Sequence, residues 1–318
     1  KPAIFSLRFA WCFLPLMTPV AWGSGIFIDS QNAVGVGNAN AGASALAEDA
    51  STVFFNPAGM SALGDGQLFS GTLTLAQVDS TFKDEGSTPL NALVPLGDSR
   101  TEISRDAVVP SLFYVAGLSD NLHVGLGVSP TFGNEGKWDD DFAGRYQGSD
   151  TTIEGVNYNP SLSLQLDPQI ALGFGVNYMH LDAELISKTP LVAGGAYRGD
   201  GVLTMEGKDG GWGYNVGLLV QATPATKIGV TYRSTIKLDV KGSVSVEAPS
   251  VRVQIPGELR IELPDMASLG VVHQIDEQWD FLADLSWFGW STVHDITVRR
   301  RPDGVILQSD ILRFDNGV

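Results

Sequence analysis

The sequence predicts an all-β fold: a transmembrane antiparallel β-barrel with an N-terminal segment that stays out of its wall. Three observations predict it. Apolar residues alternate with small or polar ones over runs longer than soluble strands reach. Short turns and longer polar stretches take turns between those runs. A segment of small residues, ended by a proline turn, stands ahead of the first strand.

The chain has 318 residues and a net charge of −16, with few charged side chains and 37 glycines. That balance excludes a basic nucleic-acid footprint. Residues 1–23 differ from the rest. "FAWCFLPLMTPVAWG" is apolar, shorter than the ~20 residues of a spanning helix, and ends with small residues at Ala21 and Gly23. It reads as a secretory signal peptide in a sequence that begins at Lys1 rather than Met. The single cysteine, Cys12, lies inside it. A cysteine-free exported protein suits a bacterial envelope better than a disulfide-stapled fold.

Residues 24–66 are read as a unit apart from the wall. "GVGNANAGASALA" (35–47) leads into "DASTVFFNPAGM" (49–60). Asn56, Pro57 and Ala58 by themselves make an ordinary turn or a gate; both readings fit the residues. Pro57 lacks the N–H that a ladder needs, so this stretch cannot join the wall.

Residues 67–318 are read as the barrel. "TKIGVTYRSTIKLDVK" (226–241) places Ile228, Val230, Tyr232, Ile236, Leu238 and Val240 on one face in a single long strand. Membrane strands need ~9–11 residues, about twice the soluble average. "VNYNPSLSLQL" (156–166) sets leucines and Tyr158 against Asn157, Asn159, Ser161 and Ser163. The runs 121–132, 213–223 and 279–287 repeat the pattern, and 67–80, 107–117, 169–185, 258–274 and a last run from Val305 bring the count to about ten. Polar stretches 81–106, 133–150, 186–209 and 242–257 are expected to be extracellular loops. A soluble barrel or sandwich would turn its apolar face inward. Here the opposite face is Gly, Asn, Ser and Thr, which suits a lumen and sends the apolar face to lipid. Trp212, Tyr214, Trp279, Trp287 and Trp290 are expected in the interfacial girdles. A barrel leaves no edge in lipid, so the chain is expected to be C-terminally incomplete.

Four stretches resemble one family. They are "GVGNANAGASALAEDASTVFFNPAGM", "WGYNVGLLVQATPATKIGVTYRSTIKLDVKG", "LRIELPDMASLGVVHQIDEQWDFLADLSWFGWS" and "LGFGVNYMHLDAEL". Together they resemble the FadL-type outer-membrane transporters of long-chain fatty acids and other hydrophobic compounds. The resemblance implies a 14-strand barrel in the outer membrane of a Gram-negative bacterium, in contact with its lipid and expected to act as a monomer. It implies diffusive uptake of hydrophobic molecules, long-chain fatty acids first, without a cofactor or metal.

The resemblance also assigns residues. Residues 24–66 become an N-terminal luminal plug, with Asn56, Pro57 and Ala58 as its gate. "GVSPTFG" (127–133), on residues alone either a strand end or a break, becomes an inward kink at Pro130, Phe132 and Gly133 that opens the wall sideways. Phe27 is placed to insert into the substrate pocket. Where the family carries a head-group arginine after the fifth strand, this chain has Ser187, followed by Lys188 as a substitute cation. That departure keeps aromatic or aliphatic hydrocarbons open as the substrate. Arg233 is read as a luminal charge paired with an acid across the barrel, with substrate binding as its alternative.

An enzyme is not expected: the four histidines form no metal-spaced pair and no Gly-x-Ser-x-Gly is present. A structural or adhesive surface barrel and a general porin are the readings from other classes.

Overall fold

The computed structural model describes residues 26–89, 91–293, 295–311 and 316–317. The signal segment 1–23 lies outside the described residues. Three short helices come first: α1 (Ala33–Gly37), α2 (Ala43–Leu46) and α3 (Thr52–Phe55), followed by a 3-10 helix over Pro57–Leu63. Strands follow: β1 (Gln67–Lys83), β2 (Arg100–Ser119), β3 (Leu122–Lys137), β4 (Asp150–Asp167), β5 (Ile170–Ala193) and β6 (Ala196–Thr223). The remainder are β7 (Thr226–Arg233), β8 (Ile236–Ala248), β9 (Val251–Leu263), β10 (Met266–Gln274), β11 (Asp280–Phe288), β12 (Asp295–Arg300) and β13 (Ile306–Ile311). All join one antiparallel sheet. β1 pairs only with β2 and β13 only with β12, so the sheet is open among the described residues.

Thirteen strands make ten passes of the wall. β7 and β8 both pair with β6, β10 and β9 with their two halves, and β11 and β12 with those. Each pair is one pass interrupted in the middle, which agrees with the count of about ten.

The alternation faces the way a membrane barrel requires. Leu162, Leu164, Leu172 and Phe174 are exposed, while Asn157, Asn159, Ser161, Ser163 and Asn177 are buried on the inner face. Tyr158, Tyr178 and Trp212 stand together on the outside, with the Tyr178 and Trp212 rings 4.8 Å apart. Trp279 stands exposed on the opposite rim, beyond the β10–β11 turn. These are interfacial positions. Trp290 is the exception to the girdle: it is buried, its ring 6.5 Å from that of Phe132.

Two other expectations are corrected. Residues 186–209 and 242–257 are not loops. β5 and β6 stay paired up to Ala193↔Ala196, closing over Gly194 and Gly195, both at positive φ. β8 and β9 stay paired up to Ala248↔Val251. These stretches lose the apolar-out pattern because they rise above the lipid, and that pattern was the only strand signal.

The strand 226–241 is also not continuous. Between the pairs Asn215↔Arg233 and Lys208↔Lys241 it carries one residue more than β6. An extra residue inverts every later side chain. Val230 is therefore outside, while Ile236, Leu238 and Val240 are buried inside. With Met179, Leu181, Leu259 and Leu263 they form an apolar inner core. The outside at this height is charged, with exposed pairs Lys237–Glu262 (3.3 Å) and Arg260–Asp239 (2.9 Å). The inner face thus has two zones: polar low down, apolar above.

Candidate functional site

The N-terminal helices sit against the polar zone. Asn56 has an extended backbone (φ −156°, ψ 105°), and its Oδ1 accepts from Ala58 N at 3.0 Å, capping the 3-10 helix. Pro57 occupies the first helical position, where a missing N–H costs nothing. Asn56 Nδ2 donates to Ser44 O (2.7 Å) and to the wall carbonyl of Leu218 (3.0 Å). One side chain therefore holds the turn, the preceding helix and β6 together. Ser163 Oγ on β4 donates to Ala58 O at 3.0 Å. On the far side Ser44 N and Oγ both donate to Asp284 Oδ2, at 3.2 and 3.0 Å. The seat is close because the wall facing it is glycine. A Cβ on Gly173 would fall on the Ala58 backbone N.

The wall is parted next to this seat. β2 and β3 pair from Ser119↔Leu122 only as far as Leu112↔Val128. Beyond that point β2 continues to Arg100 along β1, and β3 continues to Lys137 along β4. No ladder joins them there. The register of β3 slips between Pro130 and Phe132, which leaves Thr131 as the extra residue and turns Phe132 inward, 3% exposed. Pro130 cannot donate a ladder bond and belongs at such a bulge.

The freed edge of β3 is taken by the chain's own N-terminal residues. Ile28 N donates to Thr131 O (2.9 Å) and Gly133 N to Ile26 O (3.0 Å). Gln31 is fully buried in the seam. Its Nε2 donates to Pro130 O at 2.8 Å, and its Oε1 accepts from Ser111 Oγ of β2 at 3.1 Å. Phe27 lies behind it, its ring 5.5 Å from Phe132, 6.1 Å from Phe54 and 5.4 Å from Phe288. Higher up, an exposed pair, Arg105 to Glu135 at 4.0 Å, crosses the gap, and near the top Thr101 Oγ1 of β2 donates to Asp139 Oδ2 just past β3 at 2.5 Å.

The expected site residues thus fall into two groups and two separate positions. Asn56, Pro57 and Ala58 form the seat. Phe27, Pro130, Phe132 and Gly133 meet at the seam, and Phe54 links the two groups. Lys188 lies apart, near the top of β5, in an ion pair with Asp140 at 2.8 Å. Arg233 has no acid. Its guanidinium donates to Asn177 Oδ1 and to Phe54 O (3.0 Å), and stands 4.9 Å over the Phe54 ring. The expected acid pairing fails because the neighbouring inner positions are asparagines.

Two features had no sequence signal. Gln31 sits in a polar stretch with nothing to mark it. Arg145, in the β3–β4 loop, is 2% exposed and fully engaged. It donates to Asp200 Oδ2 (2.9 Å), Leu96 O (2.7 Å), Pro95 O (2.8 Å) and the Tyr146 hydroxyl (2.7 Å). It clasps the two outer loops to the β5–β6 hairpin. Among the described residues no group of His, Cys, Asp and Glu is arranged to hold a metal.

Comparison with known proteins agrees with this geometry. A family model described as "Outer membrane protein transport protein (OMPP1/FadL/TodX)" matches residues 14–314. The long-chain fatty acid transport protein of Salmonella typhi is 24% identical over 311 residues, covering 89% of this chain and 70% of that protein. The crystal structure of a Pseudomonas aeruginosa FadL homologue aligns with a TM-score of 0.79 at 21% identity, over 92% of this chain and 76% of that one. The Ralstonia pickettii toluene transporter TbuX aligns with a TM-score of 0.62 at 19% identity, over 87% and 78%. The inside-out barrel, the seated N-terminus and a family match running nearly end to end make this chain a member of the OMPP1/FadL/TodX family of Gram-negative outer-membrane transport proteins.

Proposed function

We propose that the protein carries hydrophobic molecules, long-chain fatty acids first among them, across the outer membrane by diffusion. Residues 26–66 act as a plug, and cargo leaves sideways between β2 and β3. The observation that carries this reading is the parted ladder beyond Leu112↔Val128, filled by Phe27 and Gln31 rather than by a strand. An apolar chain gains about 0.8 kcal/mol for each methylene kept out of water. An exit into lipid keeps that gain, whereas an exit into the periplasm forfeits it. The apolar inner zone above the seat provides the route down, and movement of the N-terminal residues off β3 opens the door. The extracellular hairpins β5–β6 and β8–β9 are the landing surface. The chain works as a monomer held in outer-membrane lipid, without a cofactor.

One observation favours hydrocarbons as cargo instead. Lys188 is already neutralised by Asp140, so the rim offers no free cation at the family's head-group position. Competition between oleate and toluene for the purified full-length protein in liposomes separates the two. Oleate uptake that toluene does not suppress supports the acid reading. Toluene entry without oleate entry overturns it.

A further inference from the structure

Arg233 stands where the plug, the wall and the apolar zone meet. It is 9% exposed at the end of β7. A guanidinium withdrawn from water ordinarily holds a carboxylate, because neutral acceptors do not offset its lost hydration. Here the partners are neutral: Asn177 Oδ1, the Phe54 carbonyl and the Phe54 ring. Two of its five N–H donors are engaged in these bonds. Around it runs an amide ladder. Asn157 donates to Asn177 at 3.0 Å, and Asn177 and Asn159 each donate to Asn215 at 2.9 Å. The other oxygens of Asn157 and Asn159 are buried without partners. Polarity stops one step higher. Two positions up the inner face from Asn177 is Met179, and Ile236 and Leu263 face each other beside it, all buried.

A buried cation that meets no anion among the described residues, at the foot of an apolar lining, matches a molecule with one anionic end and one long apolar end. The Phe54 carbonyl occupies the place such an end would take. We infer that Arg233 is a binding site for the carboxylate of a long-chain acid, and that the acid releases the plug by replacing the Phe54 carbonyl. The inference rests on the uptake reading above, since it assigns the trigger for plug movement. Plug departure alone would strip Arg233 of a hydrogen bond and a ring. Departure as a carboxylate arrives exchanges a neutral acceptor for a charged one. The stronger bond then favours the open state. An uncharged molecule offers no such exchange.

The test compares oleate with methyl oleate, the same chain without the charge, in liposomes holding the full-length protein. The wild type is expected to prefer oleate by about tenfold, the worth of one charge-assisted hydrogen bond. Arg233→Gln should abolish that preference while methyl oleate uptake holds or rises. Equal loss of both substrates, or an unchanged preference, would overturn the inference. Entry of neither into wild-type liposomes would overturn the uptake reading itself. A second measurement needs no variant: hydrogen exchange at residues 50–58 of the wild type should quicken with oleate and not with methyl oleate. Equal exchange with the two ligands would also overturn the inference.

Discussion

Ser111 on β2 and Pro130 on β3 are joined through Gln31, and no ladder hydrogen bond links their strands at that height. A side chain from the N-terminal segment thus stands where backbone pairing would close the wall. Gln31→Ala removes both links at a net cost of about 1 kcal/mol each. Faster amide exchange at Ile28 and Gly133 is expected, together with faster uptake. Amide exchange followed by mass spectrometry checks it, with protection at β4 and β5 unchanged.

Asn56→Leu removes the cap of the 3-10 helix and the ties to Ser44 and Leu218. Loss of an N-cap alone costs about 1 kcal/mol. The N-terminal helices should leave their seat in a fraction of molecules while the wall stays folded. Planar-bilayer recording should then show ion conductance absent from the wild type.

Much of this was legible in the sequence, and the limits have physical causes. Asn157, Ser161 and Ser163 alternate with Tyr158, Leu162 and Leu164, so β4 declared both its type and its facing. Pro57 marked a stretch unable to join a ladder, and Pro130 marked the break within one. The one-residue slip at Ser234–Thr235 was invisible, because Ile236, Leu238 and Val240 keep the parity of Val230. Only the partner strand reveals the inversion. Gln31 and Arg145 were illegible for another reason. Their roles come from carbonyls contributed by distant segments, Pro130 for one and Pro95 and Leu96 for the other.

Gly173→Val places a branched side chain where the Ala58 backbone now lies. The barrel should still fold, since Gly173 lies in a ladder that any residue can join. The N-terminal helices cannot then seat. Limited proteolysis between α2 and α3 should cut the variant and spare the wild type, while heat-modifiable migration on a gel remains.

The outer clasp should fail in acid. Arg145, Tyr146 and Asp200 lie more than ten residues along the chain beyond the aromatic belt at Trp212 or in the loop above it, clear of the lipid. Burial opposes ionisation of Asp200, but hydrogen bonds from Arg145 and Tyr146 outweigh it and hold the carboxyl below its ordinary value. Its contribution is therefore complete above the ordinary carboxylate range and is lost as pH falls through the depressed value. Loops 84–99 and 138–149 should become protease-sensitive only in strong acid. Asp200→Asn should make them so at neutral pH.

Cargo is proposed to leave through the seam between β2 and β3. Deleting Thr131 in a Pro130→Val background removes the extra residue and restores an N–H, so β3 can pair along β2. Oleate uptake by liposomes containing this full-length variant, checked for folding by heat-modifiable migration, is the most direct measurement. The account predicts background uptake by a folded barrel. Uptake at the wild-type rate through a closed wall would contradict it.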